Sequence, residues 1–383
     1  MRRALVRNLL AVTVATVASL LLADLALWIV APAPYRSVVQ VHSRGPDAEP
    51  VVYERNAYGF RSMSMRTRRK PDNTVRVVVI GASTTDEAVR NTRDTWAGML
   101  EARLRNRFAG VTSVEVAAFG RGGLTVLDNL LWARTELEQF EPDVVVTLLG
   151  INDLAWHGGP AYDYRGIPEV GATRASPGLG ARVKHSCQLV SQLCRRIRLL
   201  RVRLVTDAAL REGRAIPWDR ENFPRLREEY RALPPIDSLA RDPDPFVEFS
   251  DGIEALLELL RKRLDVETVV MGQPVLWQAG IPPEQRDVLW FSVATPGGPV
   301  RPSPGWLEAE MARYNARQEA VSARFGAAYI NLGAMIPQTL EYFYDDCHFT
   351  RAGDELVAAA VAPVVESMIS RILGRAAGPA PAR

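Results

Sequence analysis

A serine follows one apolar run of the sequence in a way that suits a nucleophile. In the stretch VRVVVIGAS, residues 75–83, a run of valines and an isoleucine typical of a buried strand is followed by glycine, alanine and then Ser83. A serine held at a sharp turn between a strand and a helix presents its hydroxyl beside backbone N–H groups that can bind a developing oxyanion. By itself the turn is weak evidence, because a Gly-Ala-Ser sequence is more often a loop that caps a helix.

Two further stretches could supply hydrogen-bond donors to the same oxyanion. FGRGGLT, residues 119–125, contains Gly123, and a glycine lets the backbone approach a ligand closely with its N–H free. LLGIND, residues 148–153, places the side-chain amide of Asn152 just beyond an apolar run. Each stretch also has a plainer interpretation, a tight turn for the glycines and an Asx turn or helix cap for the asparagine.

A base and a carboxylate that could orient it stand near the C-terminus, in YDDCHFTRAGDELV. Asp345 and His348 are three residues apart. This spacing lets the carboxylate accept the imidazole Nδ1–H and leaves Nε2 to take a proton from a serine. Asp346 is a rival for the same task, and an Asp-x-x-His sequence alone means little.

The five residues become informative as a set. Ser83, Gly123, Asn152, Asp345 and His348 would supply a nucleophile, two oxyanion donors, an orienting carboxylate and a base. The first three follow consecutive apolar runs, and the last two precede the final helical pattern. The set predicts nucleophilic acyl chemistry through a serine.

Alternating strand and helix patterns would bring these residues together. The alternation predicts an α/β fold with a parallel sheet that helices cover on both faces. Catalytic groups of such folds lie at the carboxyl ends of the strands. We predict strands at Arg76–Ile80, Val114–Phe119, Val144–Leu149, Thr268–Met271 and Ala328–Leu332, and helices at Thr95–Phe108, Val126–Gln139, Val247–Leu264, Trp306–Phe325 and about Ala352–Leu373.

The alternation fails between about residues 154 and 246, which are rich in Pro, Gly and Arg. We interpret this segment as an insertion that is part lid and part wall of the site. Trp156 and His157 at its start are predicted to line the pocket, although a surface loop suits His157 equally well. The basic stretch Cys194–Val205 could bind anionic lipid or an acidic glycan, but its pattern fits a solvated basic helix better.

The N-terminus predicts a membrane anchor. Arginines precede an apolar run, residues 9–31, that would span about 34 Å as a helix, enough to cross a bilayer. A cleaved signal peptide is the alternative, but its apolar region would be shorter and Pro34 would follow the cut. We expect Asp24, the one charge in the run, near the far interface rather than in a functional role. The positive N-terminus predicts a single-pass helix in the inner (cytoplasmic) membrane, with the remaining chain in a periplasm or on a cell surface.

Composition argues against several classes of protein. The formal net charge is +3 and no nucleic-acid-binding motif is present, so no nucleic-acid partner is expected. The three cysteines form no CxxC and the four histidines are scattered, so no metal or cofactor is expected. The oligomeric state is left open.

The four motifs together resemble those of the SGNH hydrolases, the superfamily of GDSL-like esterases and lipases. Ser83 falls on the nucleophile of the first block, Gly123 and Asn152 on the glycine and asparagine of the next two, and Asp345 and His348 on the last. The resemblance implies a flavodoxin-like three-layer fold, and ester hydrolysis or acyl transfer through an acyl-serine.

Two positions depart from the pattern of that superfamily. Ala82 replaces the aspartate of Gly-Asp-Ser, where many relatives carry a small residue, and Ala118 replaces an asparagine that often supports the oxyanion loop. The N-terminal run and NAYGFRS, residues 56–62, also look like those of membrane-anchored members associated with bacterial cell-surface polysaccharides.

One function and two alternatives follow. We expect a serine esterase that hydrolyses an O-acyl ester, an acetyl ester in the simplest case, on a small molecule or a cell-surface glycan. An O-acyltransferase that passes the acyl group to a glycan hydroxyl would use the same residues. A non-catalytic, membrane-tethered glycan-binding or assembly protein is the alternative from another class.

The expected domain layout has four parts. Residues 1–34 form the cytoplasmic N-terminus and anchor, and residues 35–73 form a stalk followed by a segment that packs on the domain. The hydrolase domain covers 74–373, and 374–383 is a disordered tail.

Overall fold

The computed structural model describes residues 2–30, 36–44, 50–56, 58–155, 222–240, 244–295 and 297–376. In chain order the strands are β1 (Arg36–Arg44), β2 (Pro50–Asn56), β3 (Thr74–Gly81), β4 (Ser113–Gly120), β5 (Val144–Leu148), β6 (Pro235–Ile236), β7 (Glu267–Met271), β8 (Val293–Thr295), β9 (Gly298–Pro302) and β10 (Ala328–Ile330). The helices are α1 (Arg2–Val30), α2 (Ser83–Asp86), α3 (Trp96–Arg107), α4 (Val126–Trp132), α5 (Ile151–Ala155), α6 (Asn222–Ala232), α7 (Pro245–Glu258), α8 (Pro283–Arg286), α9 (Pro304–Phe325), α10 (Leu332–Met335) and α11 (Arg351–Ala376).

Five strands form a central parallel sheet in the order β10-β7-β5-β3-β4. Read from the β4 edge, this is the order 2-1-3-4-5 of flavodoxin-like folds. Every residue of β3 and β5 is buried, as expected for parallel strands with helices on both faces. The predicted α/β fold is confirmed, and the five predicted strands agree with the observed ones to within two residues at each end.

Two groups of helices cover the sheet. α3 and α11 pack against each other, and α4, α7 and α9 form the second group. Capping side chains set two of the helix starts, because Thr95 accepts from the N–H of Gly98 and Ser303 accepts from the N–H of Trp306. The predicted helices at these positions are confirmed.

Two predicted helices are continuous in the structure but change their winding. The segment predicted as Val126–Gln139 begins as α4 and continues as a π-helical turn, Ala133–Leu137. The segment predicted as Val247–Leu264 begins as α7 and ends in the π-helical turn Leu259–Arg263. Apolar periodicity locates a helix but does not distinguish the two windings over a single turn.

A small second sheet was not predicted from the sequence. Its order is β6-β9-β8, and β8 and β9 form an antiparallel hairpin. Strands of two to five residues are too short to show a period in the sequence. β6 and the preceding helix α6 belong to the predicted insertion, whose residues 156–221 lie outside the described part of the chain.

The N-terminal helix α1 has 29 residues, and apolar side chains such as Val12, Leu21 and Leu22 are largely exposed. Its apolar portion is Ala11–Leu27. Among the described residues, the helix long and apolar enough to cross a membrane is Arg351–Arg375 in α11, which packs against α3 as a core helix does. The N-terminal membrane anchor therefore stays a prediction.

The segment that precedes β3, the first strand of the central sheet, packs on the domain. β1 and β2 form an antiparallel hairpin in which Ser37 pairs with Arg55. After the hairpin, Phe60 and Met65 are fully buried. Arg61 pairs with Ala118 of β4 in an isolated antiparallel bridge, so this segment lies along the edge of the central sheet. At the other end of the chain, α11 continues to Ala376, three residues into the predicted tail.

Candidate active site

Ser83 lies where β3 turns into α2. The turn is tight, since the N–H groups of Asp86 and Glu87 donate to the carbonyl oxygens of Ala82 and Ser83 at 2.9 and 2.8 Å. A Cβ at Gly120, the last residue of β4, would lie 2.7 Å from the Ala82 carbonyl oxygen. Ser83 is half-buried, and within the described part of the chain its hydroxyl has no hydrogen-bond partner.

Gly123 lies in the loop between β4 and α4. Its φ is +83°, a conformation that favours glycine, and a Cβ built on it would meet nothing within 4 Å. The loop ends in a capping box, in which Thr125 N donates to Asp128 Oδ2 at 2.8 Å and Thr125 Oγ1 accepts from Asp128 N at 3.4 Å. The glycine therefore faces open space on a loop that is fixed at its helical end.

Asn152 is the second residue of α5. Its Nδ2 donates to the carbonyl oxygen of Leu124 at 2.9 Å, which ties the amide to the Gly123 loop. An amide nitrogen carries two hydrogens, so one donor remains for a ligand. Asn152 and Gly123 are thus on adjacent, bonded segments at the carboxyl ends of β5 and β4.

Asp153, for which no role was predicted from the sequence, strengthens the same junction. Its Oδ1 accepts from the N–H of Val126, the first residue of α4, at 2.9 Å. Burial raises the pKa of Asp153 to about 7, and the nearby charge of Asp128 adds to that rise. The signal in the sequence was a second polar residue directly after Asn152, at the end of an apolar run.

Asp345 and His348 form a hydrogen-bonded pair. Both carboxylate oxygens of Asp345 lie 2.9 Å from His348 Nδ1. Asp345 Oδ1 also accepts from the backbone N–H groups of Cys347 and His348 at 3.0 and 2.9 Å, so the carboxylate is fixed from both sides. With Nδ1 engaged, Nε2 is the ring nitrogen left to accept a proton.

The electrostatics of this pair favour a charged imidazole. Burial alone would lower the pKa of His348, but the carboxylate of Asp345 raises it well above its ordinary value. Burial would likewise raise the pKa of Asp345, but the charge and hydrogen bonds of His348 bring it below its usual range. The pair is therefore suited to stabilise an imidazolium that forms during proton transfer.

Asp346 has other partners than the imidazole. It accepts from Trp277 Nε1 at 2.7 Å and from the backbone N–H groups of Trp290 and Phe291 at 2.8 and 3.0 Å. Burial, together with the charge of Asp345, raises its pKa to about 7. Asp346 therefore holds the loop before β8, and Asp345 is the carboxylate against His348.

Comparison with known proteins identifies the family of this chain. Residues 79–356 match the model of the GDSL-like lipase/acylhydrolase family. The chain belongs to this family. It is accordingly a hydrolase with esterase activity. No curated protein matches the chain.

Several solved structures resemble this acylhydrolase at low identity. They include a GDSL-like lipase (BT0569) from Bacteroides thetaiotaomicron VPI-5482, with 14% identity over 76% of this chain and 88% of that one, and a TM-score of 0.38. The acetyl xylan esterase AlAXEase has 12% identity over 76% and 100%, TM-score 0.41. Axe2, an acetylxylan esterase from Geobacillus stearothermophilus, has 13% over 76% and 93%, TM-score 0.40.

Two aromatic rings that were not predicted from the sequence lie beside the histidine of the acylhydrolase. The rings of Trp290 and Tyr344 lie nearly parallel to the His348 ring, with centroids 6.2 and 5.7 Å away. Trp290 Nε1 also donates to Asp345 Oδ2 at 3.1 Å. Phe223 of α6 lies against both rings, at 6.3 and 5.8 Å between centroids. A helix of the predicted insertion thus contacts the loop that carries the histidine.

Arg90, which follows α2, connects the segment after Ser83 to the segment after His348. Its Nη2 donates to the carbonyl oxygen of Phe349 at 3.0 Å, and its Nε lies 2.9 Å from Asp354 Oδ2. Within the described residues, Ser83 and His348 share no hydrogen bond. Trp156 and His157, the predicted pocket residues, lie outside the described residues.

One group of metal-ligating atoms occurs among the described residues of the acylhydrolase. The ligand atoms of Asp345, Cys347 and His348 lie within 4.8 Å of one another. Asp345 and His348 already bond to each other, so an ion at this position would have to displace that hydrogen bond.

Proposed function

We propose that this acylhydrolase is a serine esterase that hydrolyses an O-acyl ester, an acetyl ester in the simplest case, through an acyl-serine intermediate. The observation that carries the proposal is the 2.9 Å contact of both Asp345 oxygens with His348 Nδ1. This contact leaves Nε2 as the base, and Ser83 supplies a half-buried hydroxyl at the end of the central strand.

The first half of the reaction forms the acyl-serine. His348 Nε2 takes the proton of Ser83 Oγ as the oxygen attacks the ester carbonyl carbon, and the carbonyl electron pair moves onto its oxygen. When the tetrahedral intermediate collapses, the bond to the alcohol breaks and the imidazolium gives its proton to the leaving oxygen. Asp345 keeps its charge and stabilises the imidazolium in between.

The second half of the reaction regenerates the serine. Water takes the place of the alcohol and loses a proton to Nε2 as it attacks the acyl carbon. The second tetrahedral intermediate releases the acid, and Ser83 Oγ recovers its proton from the imidazolium. We assign the oxyanion in both halves to the N–H groups of Ser83 and Gly123 and the amide of Asn152.

We place the ester on a cell-surface polysaccharide, with an acylated small molecule as the simpler option. The catalytic domain then lies outside the cytoplasm on a single-pass inner-membrane anchor formed by α1. The support is the exposed apolar surface of the 29-residue helix α1 and the arginines at its start. Trp156 and His157 are proposed to line the pocket at the start of the insertion.

The test uses the full chain in detergent and follows the release of p-nitrophenol from its acetate ester. We expect Ser83→Ala and His348→Ala each to lose about 10⁴-fold or more in kcat. Ser370→Ala, a surface serine that donates to its own helix, is the matched control and should leave kcat unchanged.

Three outcomes would contradict the esterase proposal. A folded wild-type protein that releases no p-nitrophenol, or a Ser83→Ala variant that releases it at the wild-type rate, would overturn serine catalysis. Transfer of the acetyl group to an added methyl glycoside in preference to water would identify an acyltransferase instead.

A further inference from the structure

A buried arginine of the N-terminal hairpin lies behind the nucleophile turn. Arg55, near the end of β2, forms a 2.6 Å ion pair with Asp86, the last residue of α2. Its Nη2 also donates to the carbonyl oxygen of Gly120, the last residue of β4. Only 11% of each charged side chain is exposed. Arg55 therefore joins the turn that carries Ser83 to the strand that leads to Gly123.

Two neighbours fix the orientation of this guanidinium. Tyr53 donates its hydroxyl to Asp86 Oδ1 at 2.8 Å and accepts a hydrogen bond from Arg55 Nε. Burial raises the pKa of Tyr53, so the hydroxyl stays protonated and keeps donating. Arg55 Nη1 donates to the carbonyl oxygen of Gly59 at 2.8 Å. The arginine is thus held on three sides by the hairpin and the turn that follows it.

The two segments that Arg55 joins are already in close contact. A Cβ at Gly120 would lie 2.8 Å from Asp86 N, so no side chain separates the strand end from the nucleophile turn. Any shift of Asp86 relative to Gly120 would therefore move the backbone of α2 relative to β4. Such a shift would change the separation between the N–H groups of Ser83 and Gly123.

We propose that Arg55 is a positioning residue for the oxyanion hole, an inference that rests on the proposed function. Oxyanion binding requires donors held to within about 0.5 Å, and a backbone N–H cannot be repositioned by a side-chain rotamer. The chain itself must be held, and Arg55 holds both segments at once. Arg55 lies outside residues 79–356, so a hairpin beyond the family match contributes to the geometry of the site.

Stability alone explains this arginine poorly. A buried ion pair roughly breaks even against apolar residues of similar volume, because desolvation offsets the Coulomb attraction. The guanidinium offers several donors in a rigid plane and can reach a carboxylate and a carbonyl together, whereas a lysine ammonium is a point charge on a flexible stem. Arg55→Lys therefore keeps the charge opposite Asp86 and loses the bridge to Gly120.

The test compares Arg55→Lys with Arg76→Lys in the full chain. Arg76 is a matched control because it is also buried, but it lies towards the opposite end of β3. It pairs with Glu115 at 2.7 Å and donates to the carbonyl oxygen of Phe140 at 2.6 Å. We expect Arg55→Lys to lower kcat on p-nitrophenyl acetate by about 10- to 100-fold, with KM changed less than about twofold. Arg76→Lys should lower Tm by at least as much and leave kcat within about twofold of wild type.

A second readout measures the oxyanion hole directly. Phenylboronic acid adds to a serine hydroxyl as a tetrahedral anion and so imitates the intermediate. Its inhibition constant should rise in Arg55→Lys by about the factor lost in kcat, and should stay unchanged in Arg76→Lys.

The outcomes separate the two proposals. A folded Arg55→Lys variant whose kcat and boronate affinity stay within about twofold of wild type would overturn the role of Arg55. Equal losses of kcat in both lysine variants would also overturn it. Absence of Ser83-dependent turnover in the wild type would overturn the proposed function itself, and the positioning role with it.

Discussion

Two parts of the site are held in place by different interactions. The serine side consists of the segments that carry Ser83, Gly123 and Asn152, and the histidine side is the segment that carries Asp345 and His348. On the serine side, arginines hold the main chain. Besides Arg55, Arg61 donates to the carbonyl oxygens of Glu87 and Arg90 at 2.7 and 2.6 Å. On the histidine side, the carboxylate of Asp345 and the flanking rings hold one side chain.

The difference follows from what each side contributes. Backbone donors can be positioned only by fixing the chain, and hydrogen bonds to carbonyl oxygens do this. A base depends on a rotamer and a tautomer, and an adjacent carboxylate fixes both. Substitutions on the serine side should therefore weaken oxyanion binding, whereas substitutions on the histidine side should also change the titration of activity.

The largest effect should separate two adjacent carboxylates on the histidine side. In Asp345→Asn the amide can donate to Nδ1, which favours the tautomer whose Nε2 already carries the proton. We expect kcat on p-nitrophenyl acetate to fall about 10³–10⁴-fold. Asp346→Asn is the matched control, because Asp346 bonds a tryptophan and two backbone N–H groups instead of the imidazole. It should lower Tm and leave kcat within about tenfold. Equal losses in the two variants would remove the distinction between them.

A smaller effect should appear on the serine side at Asn152. Asn152→Ala removes one oxyanion donor, and we expect kcat to fall about 10²–10³-fold. Asn129→Ala provides the control, because Asn129 Nδ2 likewise donates to a backbone carbonyl, that of Thr125, at 2.8 Å. Its variant should lose stability with less than about a tenfold change in kcat. A kcat for Asn152→Ala within twofold of wild type would exclude the amide from the oxyanion hole.

Much of this architecture could be predicted from the sequence because it depends on local patterns of residue types. The valine runs of β3 and β5 are continuous, as buried parallel strands require; Gly81 ends β3, and Gly150 comes two residues after β5. Ser83 and Asn152 follow these strands closely in the sequence. Predicting the fold therefore also predicted that they lie together at the carboxyl ends of the strands. The three-residue spacing of Asp345 and His348 needed only a turn to bring them into contact.

The parts that could not be predicted depend on contacts between distant segments. Arg55 and Gly120 are 65 residues apart, and no period in the sequence relates them. Trp290 reaches the histidine from a loop, and Phe223, on a helix of the predicted insertion, contacts Trp290 in turn. Neither contact follows from a pattern in the sequence. The raised pKa of Asp153 depends on burial that only the folded chain creates. Tertiary packing, and not local propensity, decides such features.

The pH dependence of activity should report the histidine side. His348 must be neutral to act as a base, and its pKa is raised because Asp345 favours the imidazolium. The acidic limb of kcat/KM should therefore have its midpoint above the ordinary histidine value of about 6.5. The protonated His348 stabilises the fold, and its contribution is complete below that ordinary value and is lost as pH rises through the raised pKa. Activity should rise as stability falls.

Variants from the two sides sharpen this prediction. Asp345→Asn should move the midpoint of its residual activity to lower pH, because the carboxylate that raises the pKa is gone. Arg55→Lys should lower kcat and leave the midpoint where it is. A midpoint at or below the ordinary histidine value in the wild type would contradict the electrostatic account of the pair.

The smallest effect concerns Asp153, which secures the start of α4 on the serine side. Its pKa of about 7 in the fold lies above the ordinary value of 3.8, so the folded state binds the proton more tightly than the unfolded chain does. The stability that comes from the neutral carboxyl is complete below the ordinary value and is lost as pH rises through about 7.

Asp153→Asn tests whether a neutral side chain is what this position needs. The amide cannot ionise and still offers an oxygen to the N–H of Val126. The Tm of the variant minus that of the wild type should therefore increase by at least about 2 °C from pH 5 to pH 8. A change of ~1 kcal/mol in the free energy of unfolding produces a shift of this size in a domain of this size. Because the cap of α4 survives, kcat should stay close to wild type while Asn152→Ala loses it. A Tm difference that does not change with pH would mean that Asp153 is ionised throughout, and that the serine side is held by a charge at this point as well.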